Sequence, residues 1–439
     1  MKILLAHKNC NIGGVETFMS ALAGVLQNSG HECELFFFER GPAAEHLPPG
    51  CAIHFGDLAD CLNLVSSQRF DIVHTTNTDW VKGISAVRNV GAKLVVSSHG
   101  MIIPGWTRAN CDALVTCSVW LAEEYKAVTD IVPQVVLNGI DTCAFKPADE
   151  AKPTSPPIIA WVGRGVDDVK EIGKFAAVAP TLYASGLRVQ LAEPYGAEKV
   201  EAALPGATGE LPRVADFWGA VPREKMPDFY REVAASGGCV ISTSSREGLP
   251  LALIEAQACG CPVIGADVRG VNECVAPEHG GVLYPFDIEA GRLASLVLDT
   301  LRDEGRMRWR REASARYARE RFNLTRMAED YLRVYEGVKN SKRQSLARIY
   351  RWFPLASLLS WRDYVESRWV PGHSQYETSR RLAERGEWAL AGASARASLA
   401  TCPTLYLRPR RMAYLLKTQL PFRTAAGRAD DFEKQNLKD

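Results

Sequence analysis

Residues 238–266 constrain the fold of this chain most strongly, because they read as a strand, a loop, a helix and a second strand with little polar surface. Residues 238–243 and 262–266 are short apolar runs rich in β-branched side chains, which is typical of buried strands. Between them, Pro250 stands where a helix can begin and Gly260 where it can end. Buried strands joined by a buried helix occur in parallel sheets that are covered on both faces, so this segment predicts an α/β fold.

The helix of this segment carries one carboxylate, Glu255, on an otherwise apolar surface. A helix that is apolar all round is normally buried, and a buried carboxylate needs a partner with positive charge or hydroxyl groups. Two interpretations stay open: Glu255 pairs with an arginine, or it binds the two adjacent hydroxyls of a ribose. Glu247 lies in the loop before the helix. It either complements the helix dipole or faces a phosphate or sugar together with the free N–H groups of the helix start.

Short apolar strands alternate with helical stretches along most of the chain, and the alternation is interrupted at one place. Residues 148–157 are rich in proline and in small or charged residues, which is typical of a linker. We therefore predict a Rossmann-like α/β domain at residues 1–147, a second one at residues 158–339, and a cleft between them. The length of 439 residues also exceeds what one ordinary core supports.

The individual elements follow from the same periodicities. Strands of the first half are predicted at residues 3–6, 33–38, 71–74, 94–98, 113–116 and 134–137. Strands of the second half are predicted at residues 158–162, 187–191, 214–218, 238–243, 262–266 and 281–284. Helices are predicted at residues 15–26, 170–183, 225–233, 250–260, 288–302, 305–321 and 324–338. Ligands of open α/β sheets bind at the carboxyl ends of the strands, where the distinctive loops of this sequence fall.

Residues 340–439 differ in character and predict an all-α extension, with a helical hairpin near residues 374–401. Residues 342–369 mix basic and aromatic side chains. They favour either contact with anionic lipid at a membrane surface or an amphipathic helix packed on the preceding domains. We therefore keep two hypotheses for residues 342–420, contact with a membrane surface and contact with a protein partner. The sequence does not choose between them.

Composition and missing motifs exclude several classes of function. The net charge of +1 gives no reason to expect a nucleic-acid partner. The twelve cysteines include no C-x-x-C and no zinc-finger spacing, so we expect reduced thiols in a cytosol. We find no signal peptide, no uncharged apolar run of about 18 residues, and no hydrolase elbow, Walker loop or H-E-x-x-H. We expect a cytoplasmic protein, with peripheral contact at the cytoplasmic face of a membrane as a further hypothesis.

Arg164 and Lys170 lie in a loop that directly follows the predicted strand at residues 158–162. One basic residue at the end of a strand and another at the start of the next helix can hold a diphosphate from two sides. The alternative is a solvated loop with two ordinary surface charges.

Glycines and histidines mark two further strand ends in the first half. Gly13 and Gly14 follow the first strand and permit positive φ and close approach of the backbone to a ligand, although any tight turn uses such a pair. His99 ends the strand at residues 94–98, where it is either a satisfied loop residue or a ligand contact. His74 occupies a similar place and is the weaker candidate.

Taken together, these motifs resemble the family 4 retaining glycosyltransferases, which have the GT-B fold. Glu247 and Glu255 stand at the spacing of that family's E-x7-E signature, which they resemble. Arg164 and Lys170 resemble its phosphate-binding pair. Three further segments match in the right order, at residues 13–16, 138–141 and 270–273. The resemblance covers about residues 1–338.

Two departures from the family pattern leave the identity of the donor open. Glu171 stands where the family usually has glycine, and Asn272 stands where it usually has proline. Neither departure removes a charged group of the site.

The resemblance implies roles for the charged residues of the second half. Glu255 would hold the ribose of a nucleotide sugar. Arg164 and Lys170 would neutralise the diphosphate leaving group, which is work that a metal does in other glycosyltransferase folds, so no metal and no other cofactor is expected. Gly14 would lie beside the phosphate and the acceptor.

The resemblance also implies which groups meet the donor sugar. Glu247 and the backbone amides of Gly248, Leu249 and Leu251 would contact the sugar and phosphate, and His99 would contact the sugar near the reacting carbon. The catalytic set is then His99, Glu247 and the two basic residues of the phosphate-binding pair.

The implied activity is transfer of a sugar, most simply a hexose, from a nucleotide-diphosphate sugar with retention of the anomeric configuration. The acceptor would be a glycan or a lipid-linked molecule in the synthesis of cell-surface polysaccharide or lipopolysaccharide. The alternative is a non-catalytic glycan-binding or assembly partner that keeps the GT-B fold. The sequence does not identify the donor sugar, the linkage or the acceptor.

Overall fold

A computed structural model of the chain describes residues 1–341, except for 12, 42–43, 45–46, 48–49, 77–83, 101, 103–105, 107, 109, 127, 130, 149–155 and 205–210. The predicted all-α extension, its hairpin at residues 374–401 and the proposed contact segment at residues 342–420 lie outside the described residues. Most of the predicted linker lies outside them as well.

The first sheet contains seven parallel strands among the described residues, in the order β3-β2-β1-β4-β5-β6-β7. The strands are β1 Lys2–Asn9, β2 Glu32–Glu39, β3 Ala52–Phe55, β4 Ile72–Thr76, β5 Lys93–Ser98, β6 Ala113–Thr116 and β7 Gln134–Val135. The helices are α1 Gly14–Asn28, α2 Leu58–Gln68 and α3 Val119–Lys126.

The second sheet contains six parallel strands among the described residues, in the order β10-β9-β8-β11-β12-β13. The strands are β8 Ile158–Val162, β9 Arg188–Ala192, β10 Ala215–Phe217, β11 Cys239–Ser242, β12 Val263–Ala266 and β13 Val282–Tyr284. The helices are α4 Ile172–Ala184, α5 Ala197–Ala203, α6 Leu211–Val214, α7 Met226–Ala235, α8 Leu251–Ala258, α9 Ala290–Arg302, α10 Glu304–Arg321 and α11 Leu324–Asn340.

Strand β1 shows why the predicted strands are apolar throughout. Ile3 and Leu5 belong to the core on one face of the first sheet, whereas Leu4 and Ala6 belong to the core on the other face. Successive side chains of a strand point to opposite faces, so a strand with helices on both sides buries all of them. None of the described helices combines the length and the hydropathy that a membrane span requires.

The last helix, α11, is placed differently from our prediction, which assigned it to the second domain. Its buried side chains Met327, Tyr331 and Tyr335 belong to the core of the first sheet, beside Phe18 of α1. The amphipathic pattern of α11 predicts that the helix needs an apolar partner, but it does not say which of two sheets supplies that partner.

The chain reaches α11 through a close backbone contact with the segment that precedes the predicted linker. The N–H of Ile140 donates to the carbonyl of Phe322 over 2.7 Å, and the N–H of Leu324 donates to the carbonyl of Ile140 over 3.2 Å. A Cβ on Gly139 would lie 2.8 Å from the carbonyl oxygen of Asn323. Glycine is therefore required here because two backbones meet.

Candidate functional site

Lys170 and Glu247 lie in contact, although the sequence analysis assigned them to two separate motifs and predicted no direct contact between them. The Nζ of Lys170 is 2.6 Å from Oε1 of Glu247, and the hydroxyl of Ser244 donates to the same oxygen over 2.7 Å. Backbone contacts hold the two loops together, since the N–H of Ser245 donates to the carbonyl of Val169 over 2.8 Å. A cation and a carboxylate thus stand side by side at the carboxyl ends of β8 and β11.

Glu171 follows this lysine with backbone angles of φ 48° and ψ 46°, in the left-handed region. Only glycine adopts that region without steric cost, because other residues bring Cβ close to the next carbonyl oxygen. Glu171 therefore stands at a position whose backbone conformation favours glycine, the residue that the family usually has there.

Arg164 lies in the same loop region and is half exposed, with 52 % of its side chain accessible. Its Nη2 is 2.6 Å from Oδ2 of Asp167. Burial raises the pKa of Glu16 in α1, while hydrogen bonds from backbone amides and the charge of Arg164 oppose that rise. The guanidinium therefore lies within electrostatic reach of a carboxyl group on the first sheet's side of the site.

Glu193, which the sequence analysis did not single out, holds the loop that carries this arginine. The carboxylate is fully buried and accepts from the N–H of Gly165 over 3.1 Å. Its other oxygen accepts from the N–H groups of Tyr195 and Gly196, each over 2.8 Å. The sequence signal for this residue is an acid directly after the predicted strand at residues 187–191, because a carboxylate buried at a strand end needs specific partners.

Glu255 is buried in α8 to 4 % exposure, as the apolar pattern of its helix predicts. Its partner is Arg223, whose Nη1 lies 2.9 Å from Oε1 of Glu255. That oxygen nevertheless has no well-aligned hydrogen bond within the described structure. Burial raises the pKa of Glu255, and the nearby guanidinium opposes the rise. Pairing with an arginine, one of the two interpretations, is therefore observed, and ribose binding stays a prediction.

The start of α8 offers free backbone donors between the two acidic residues. Pro250 precedes the helix, and no side chain within the described residues caps it. The first N–H groups of a helix have no partner inside it and carry the positive end of its dipole, which suits an anion. Leu251 supplies such an amide, whereas the side chain of Leu249 is buried in the core at 5 % exposure.

Gly248 is the point at which the loop of the second sheet meets the first sheet. A Cβ on Gly248 would lie 1.9 Å from the carbonyl oxygen of His99. Gly270 has a φ of +83°, and a Cβ there would lie 2.2 Å from the carbonyl oxygen of Glu247. Both glycines are thus required by backbone contacts, and they bring His99 next to the predicted donor-binding loop.

His99 is held as a neutral ring. Its Nε2 is 2.9 Å from the hydroxyl of Ser97, and its ring centroid lies 4.1 Å from that of Phe18. Burial lowers the pKa of His99 to about 3, the charge of nearby His7 lowers it further, and a contact with Asn138 opposes the shift. A histidine with that pKa is neutral near pH 7, so it is not set up to act as a general acid.

His74, the weaker candidate, is a core residue. It is 2 % exposed, and its Nδ1 lies 2.7 Å from the hydroxyl of Tyr335 in α11. Burial lowers its pKa to about 3, and the charge of His99 adds to that shift.

Neither glycine of the pair after β1 uses the positive φ that glycine permits. Gly13 is extended with a φ of −165°, and Gly14 is the first residue of α1, so neither uses the left-handed region. A Cβ on Gly13 would meet only the flexible carboxylate of Glu16, at 2.7 Å. A Cβ on Gly14 would meet no atom of the described residues within 4 Å, which leaves space beside the helix start in that part of the structure.

The structure therefore brings Lys170 and Glu247 together, places the backbone of His99 against the loop before α8, and puts Glu255 one turn into that helix, in contact with Arg223. In the part of the chain that the structure describes, no three His, Cys, Asp or Glu side chains lie close enough to hold a metal ion. Cations and amide donors at the carboxyl ends of parallel strands can bind a diphosphate, and a buried carboxylate can bind vicinal hydroxyls.

Two family models match the chain in sequence order. The model described as "Glycosyltransferase Family 4" matches residues 12–143. The model described as "Glycosyl transferases group 1" matches residues 145–321. The two matches meet at residues 143–145, a few residues before the predicted linker.

Curated relatives are similar over part of their length. The chain is 28 % identical over 252 residues to an alpha-maltose-1-phosphate synthase of Mycolicibacterium smegmatis, a match that covers 52 % of this chain and 63 % of the relative. It is 29 % identical over 245 residues to a D-inositol 3-phosphate glycosyltransferase of Acidothermus cellulolyticus, covering 50 % of this chain and 52 % of the relative. The chain thus spans between half and two thirds of these relatives.

Solved structures share the architecture at low sequence identity. A glycosyltransferase of Rickettsia africae has a TM-score of 0.65 at 17 % identity, covering 78 % of this chain and 99 % of that one. HepE of Anabaena in complex with UDP has a TM-score of 0.62 at 16 % identity, covering 77 % of this chain and all of the other. These likenesses establish the fold, two parallel-sheet α/β domains of the GT-B type.

Proposed function

The chain belongs to the family 4-type glycosyltransferases of the GT-B fold, and from that premise we propose that it transfers a sugar from a nucleotide-diphosphate sugar to a hydroxyl group of an acceptor. The observation that carries the proposal is the pairing of Lys170 with Glu247 beside the start of α8, with buried Glu255 one turn further along the helix. The complex of HepE with UDP supports a nucleotide donor for the fold that the two proteins share.

The leaving group accounts for the cations in this proposal. As the bond between the sugar and the diphosphate breaks, negative charge grows on the phosphate oxygens. Lys170, Arg164 and the free amides at the start of α8 supply positive potential where that charge develops, which is the largest catalytic term in such sites. When the phosphate takes over the contact with Lys170, Glu247 is released toward the sugar hydroxyls.

The remaining residues bind and orient. Glu255 accepts hydrogen bonds from the two ribose hydroxyls, and the Arg223 guanidinium opposes the rise in its pKa that burial causes. His99 contacts the sugar as a neutral ring, and the open space beside Gly14 admits the acceptor. The acceptor hydroxyl forms the new bond to the sugar and gives its proton to the departing diphosphate, so no residue in this arrangement has to supply a proton.

We propose retention of the anomeric configuration and a hexose as the donor sugar, as the family resemblance implies. A glycan or lipid-linked acceptor of cell-surface polysaccharide or lipopolysaccharide synthesis is the acceptor that we propose. The curated relatives are named for phosphorylated small molecules instead. Acceptor assays should therefore include phosphorylated sugars and cyclitols beside glycans and lipid-linked sugars.

The proposal is tested by incubating the purified chain with a panel of nucleotide sugars and acceptors and measuring released nucleoside diphosphate. We expect release with at least one donor, and its loss in Lys170→Ala and in Glu255→Ala. Lys199→Ala, on the exposed surface of α5, is the matched control and should retain the wild-type rate. Release that persists in both site variants contradicts the proposed roles. A chain that binds no donor at all fits the non-catalytic alternative.

A further inference from the structure

Glu273, in the loop after β12, binds the start of helix α3 on the other half of the molecule. Its Oε2 accepts from the N–H of Val119 over 2.7 Å, and its Oε1 accepts from the N–H of Trp120 over 2.8 Å. The first N–H groups of a helix have no acceptor within the helix, so an external carboxylate satisfies both their hydrogen bonds and the helix dipole. One side chain of the second half thus caps a helix of the first.

Trp120 extends this contact to the predicted donor-binding loop. Its indole N–H donates to the carbonyl of Gly248 over 3.2 Å. Arg269, close to Glu273 in sequence, lies with its guanidinium 6.0 Å from the Trp120 ring and forms an ion pair with Glu124 of α3. Helix α3 therefore contacts both loops that surround Glu247.

The same two loops are fixed to each other by backbone contacts. The N–H of Glu247 donates to the carbonyl of Arg269 over 2.9 Å. The absence of side chains at Gly248 and Gly270 lets the first loop touch His99 and lets the two loops touch one another. A displacement at the α3 contact is therefore transmitted to Glu247 through a few backbone atoms.

We infer that Glu273 is a positioning residue, which caps α3 and thereby sets Glu247 and Gly248 at their working distance from His99. This inference rests on the proposed function, because it concerns the assembly of that same site from its two halves. Glu273 itself touches neither the paired lysine nor Glu255 in the structure. Its substitution should alter turnover while leaving the diphosphate contacts of the second half in place.

The test compares Glu273→Ala and Glu273→Gln with the wild-type full chain. We expect kcat for sugar transfer to fall about 10- to 100-fold in Glu273→Ala, since displacements of about 1 Å have effects of that size. Glu273→Gln keeps one acceptor oxygen and should retain intermediate activity. The Kd of the nucleoside diphosphate, measured by calorimetry, should stay within about threefold, because Lys170 and Glu255 are unaffected.

Amide hydrogen exchange supplies a readout that is independent of activity. The N–H groups of Val119 and Trp120 should exchange at least about tenfold faster in Glu273→Ala. Glu123→Gln is the matched control, since Glu123 is exposed on α3 and, among the described residues, forms its ion pair with Lys126. It should leave both the exchange rates and kcat within about twofold of wild type.

Three results would overturn the inference. They are a Kd that weakens in parallel with kcat, an unchanged kcat, or unchanged exchange at Val119 and Trp120 in Glu273→Ala. If the wild-type chain transfers no sugar from any donor, the proposed function fails separately, and the exchange rates still decide whether Glu273 holds α3. In that case, exchange rates at Val119 and Trp120 that equal those of wild type in Glu273→Ala would contradict the inference as well.

Discussion

Glu255 and its surroundings illustrate what single residues decide in this chain. Its burial follows from the apolar positions around it, and its need for a cationic partner follows from burial. The identity of that partner does not follow. Arg223 precedes Glu255 by a whole helix and a strand, and it lies in a charged turn that resembles an ordinary surface turn. A pairwise contact between distant segments is fixed by the fold and not by local sequence.

The contact between Gly248 and His99 gives the first prediction. In Gly248→Ala, the new methyl group would lie 1.9 Å from a carbonyl oxygen, so the two loops must separate. We expect a loss of about 1–3 kcal/mol in the free energy of unfolding, measured with urea, and a clear drop in turnover.

Gly24→Ala is the matched control for that experiment. Gly24 lies in the middle of α1, and a Cβ there meets nothing within 4 Å. Alanine favours a helix interior over glycine, so the control should gain about 0.5–1 kcal/mol. Wild-type stability in Gly248→Ala would contradict the close contact.

The pKa of His74 predicts how stability depends on pH. Burial lowers this pKa to about 3 in the folded chain, against about 6.5 in an unfolded chain. Below pH 6.5 the unfolded state therefore binds more protons than the folded state, and stability falls as the pH falls. The contribution approaches about 1.4 kcal/mol per pH unit for one histidine, or about 2 kcal/mol between pH 7 and pH 5.

Urea unfolding of wild type and His74→Gln across pH 7 to pH 5 measures this contribution. The variant loses its bond to Tyr335 and starts less stable at pH 7, but its stability should depend less steeply on pH. Parallel curves for the two proteins would show that His74 is protonated in the folded state at pH 5.

Among the elements, the two helices α8 and α11 differ in what their sequences predict. Helix α8 is apolar apart from Glu255 and Gln257, so its burial between two strands could be predicted along with its approximate limits. Helix α11 is amphipathic, and its apolar face fits either sheet as far as sequence shows. Its place on the first sheet is decided by the contact of Ile140 with Phe322 and Leu324, which no local pattern reveals.

Met327→Ala tests the position of α11. The Met327 side chain is fully buried in the core of the first sheet, and its removal leaves a cavity there. We expect a loss of about 2–5 kcal/mol in unfolding free energy, with faster amide exchange in α1 of the first sheet.

Arg333→Ala, on the exposed side of the same helix, is the control. Two thirds of the Arg333 side chain is accessible, so its loss should change stability by no more than about 0.5 kcal/mol. Equal effects of the two substitutions, or exchange unchanged in α1, would place α11 elsewhere.

Elements with weak apolar patterns were missed. Strand β3 lies at the edge of the first sheet and is only partly buried, so its four residues lack the continuous apolar run of the central strands. Helix α2 buries only Cys61 and Val65, and its start depends on the capping side chain of Asp57. Apolar periodicity predicts helices and strands that are buried, but it does not predict those that stay half exposed, such as a strand at the edge of a sheet.

At the scale of the whole molecule, the order of motifs predicted two parallel-sheet domains, and that prediction is confirmed by the fold and by the matches to known families. The contacts that join the two halves were not predicted. Glu273 with α3, Trp120 with Gly248, and α11 with the first sheet each connect segments more than a hundred residues apart. Sequence order supplies the parts of the site, and tertiary packing supplies its assembly.

The central claim is that this assembled site binds a nucleoside diphosphate through Lys170 and Glu255. Calorimetric titration of the full chain with UDP, ADP, GDP and dTDP tests it most directly. We predict that at least one binds wild type and Lys199→Ala alike, and that its Kd rises at least about tenfold in Lys170→Ala and in Glu255→Ala. Failure of all four to bind wild type, or equal binding by both site variants, would contradict it.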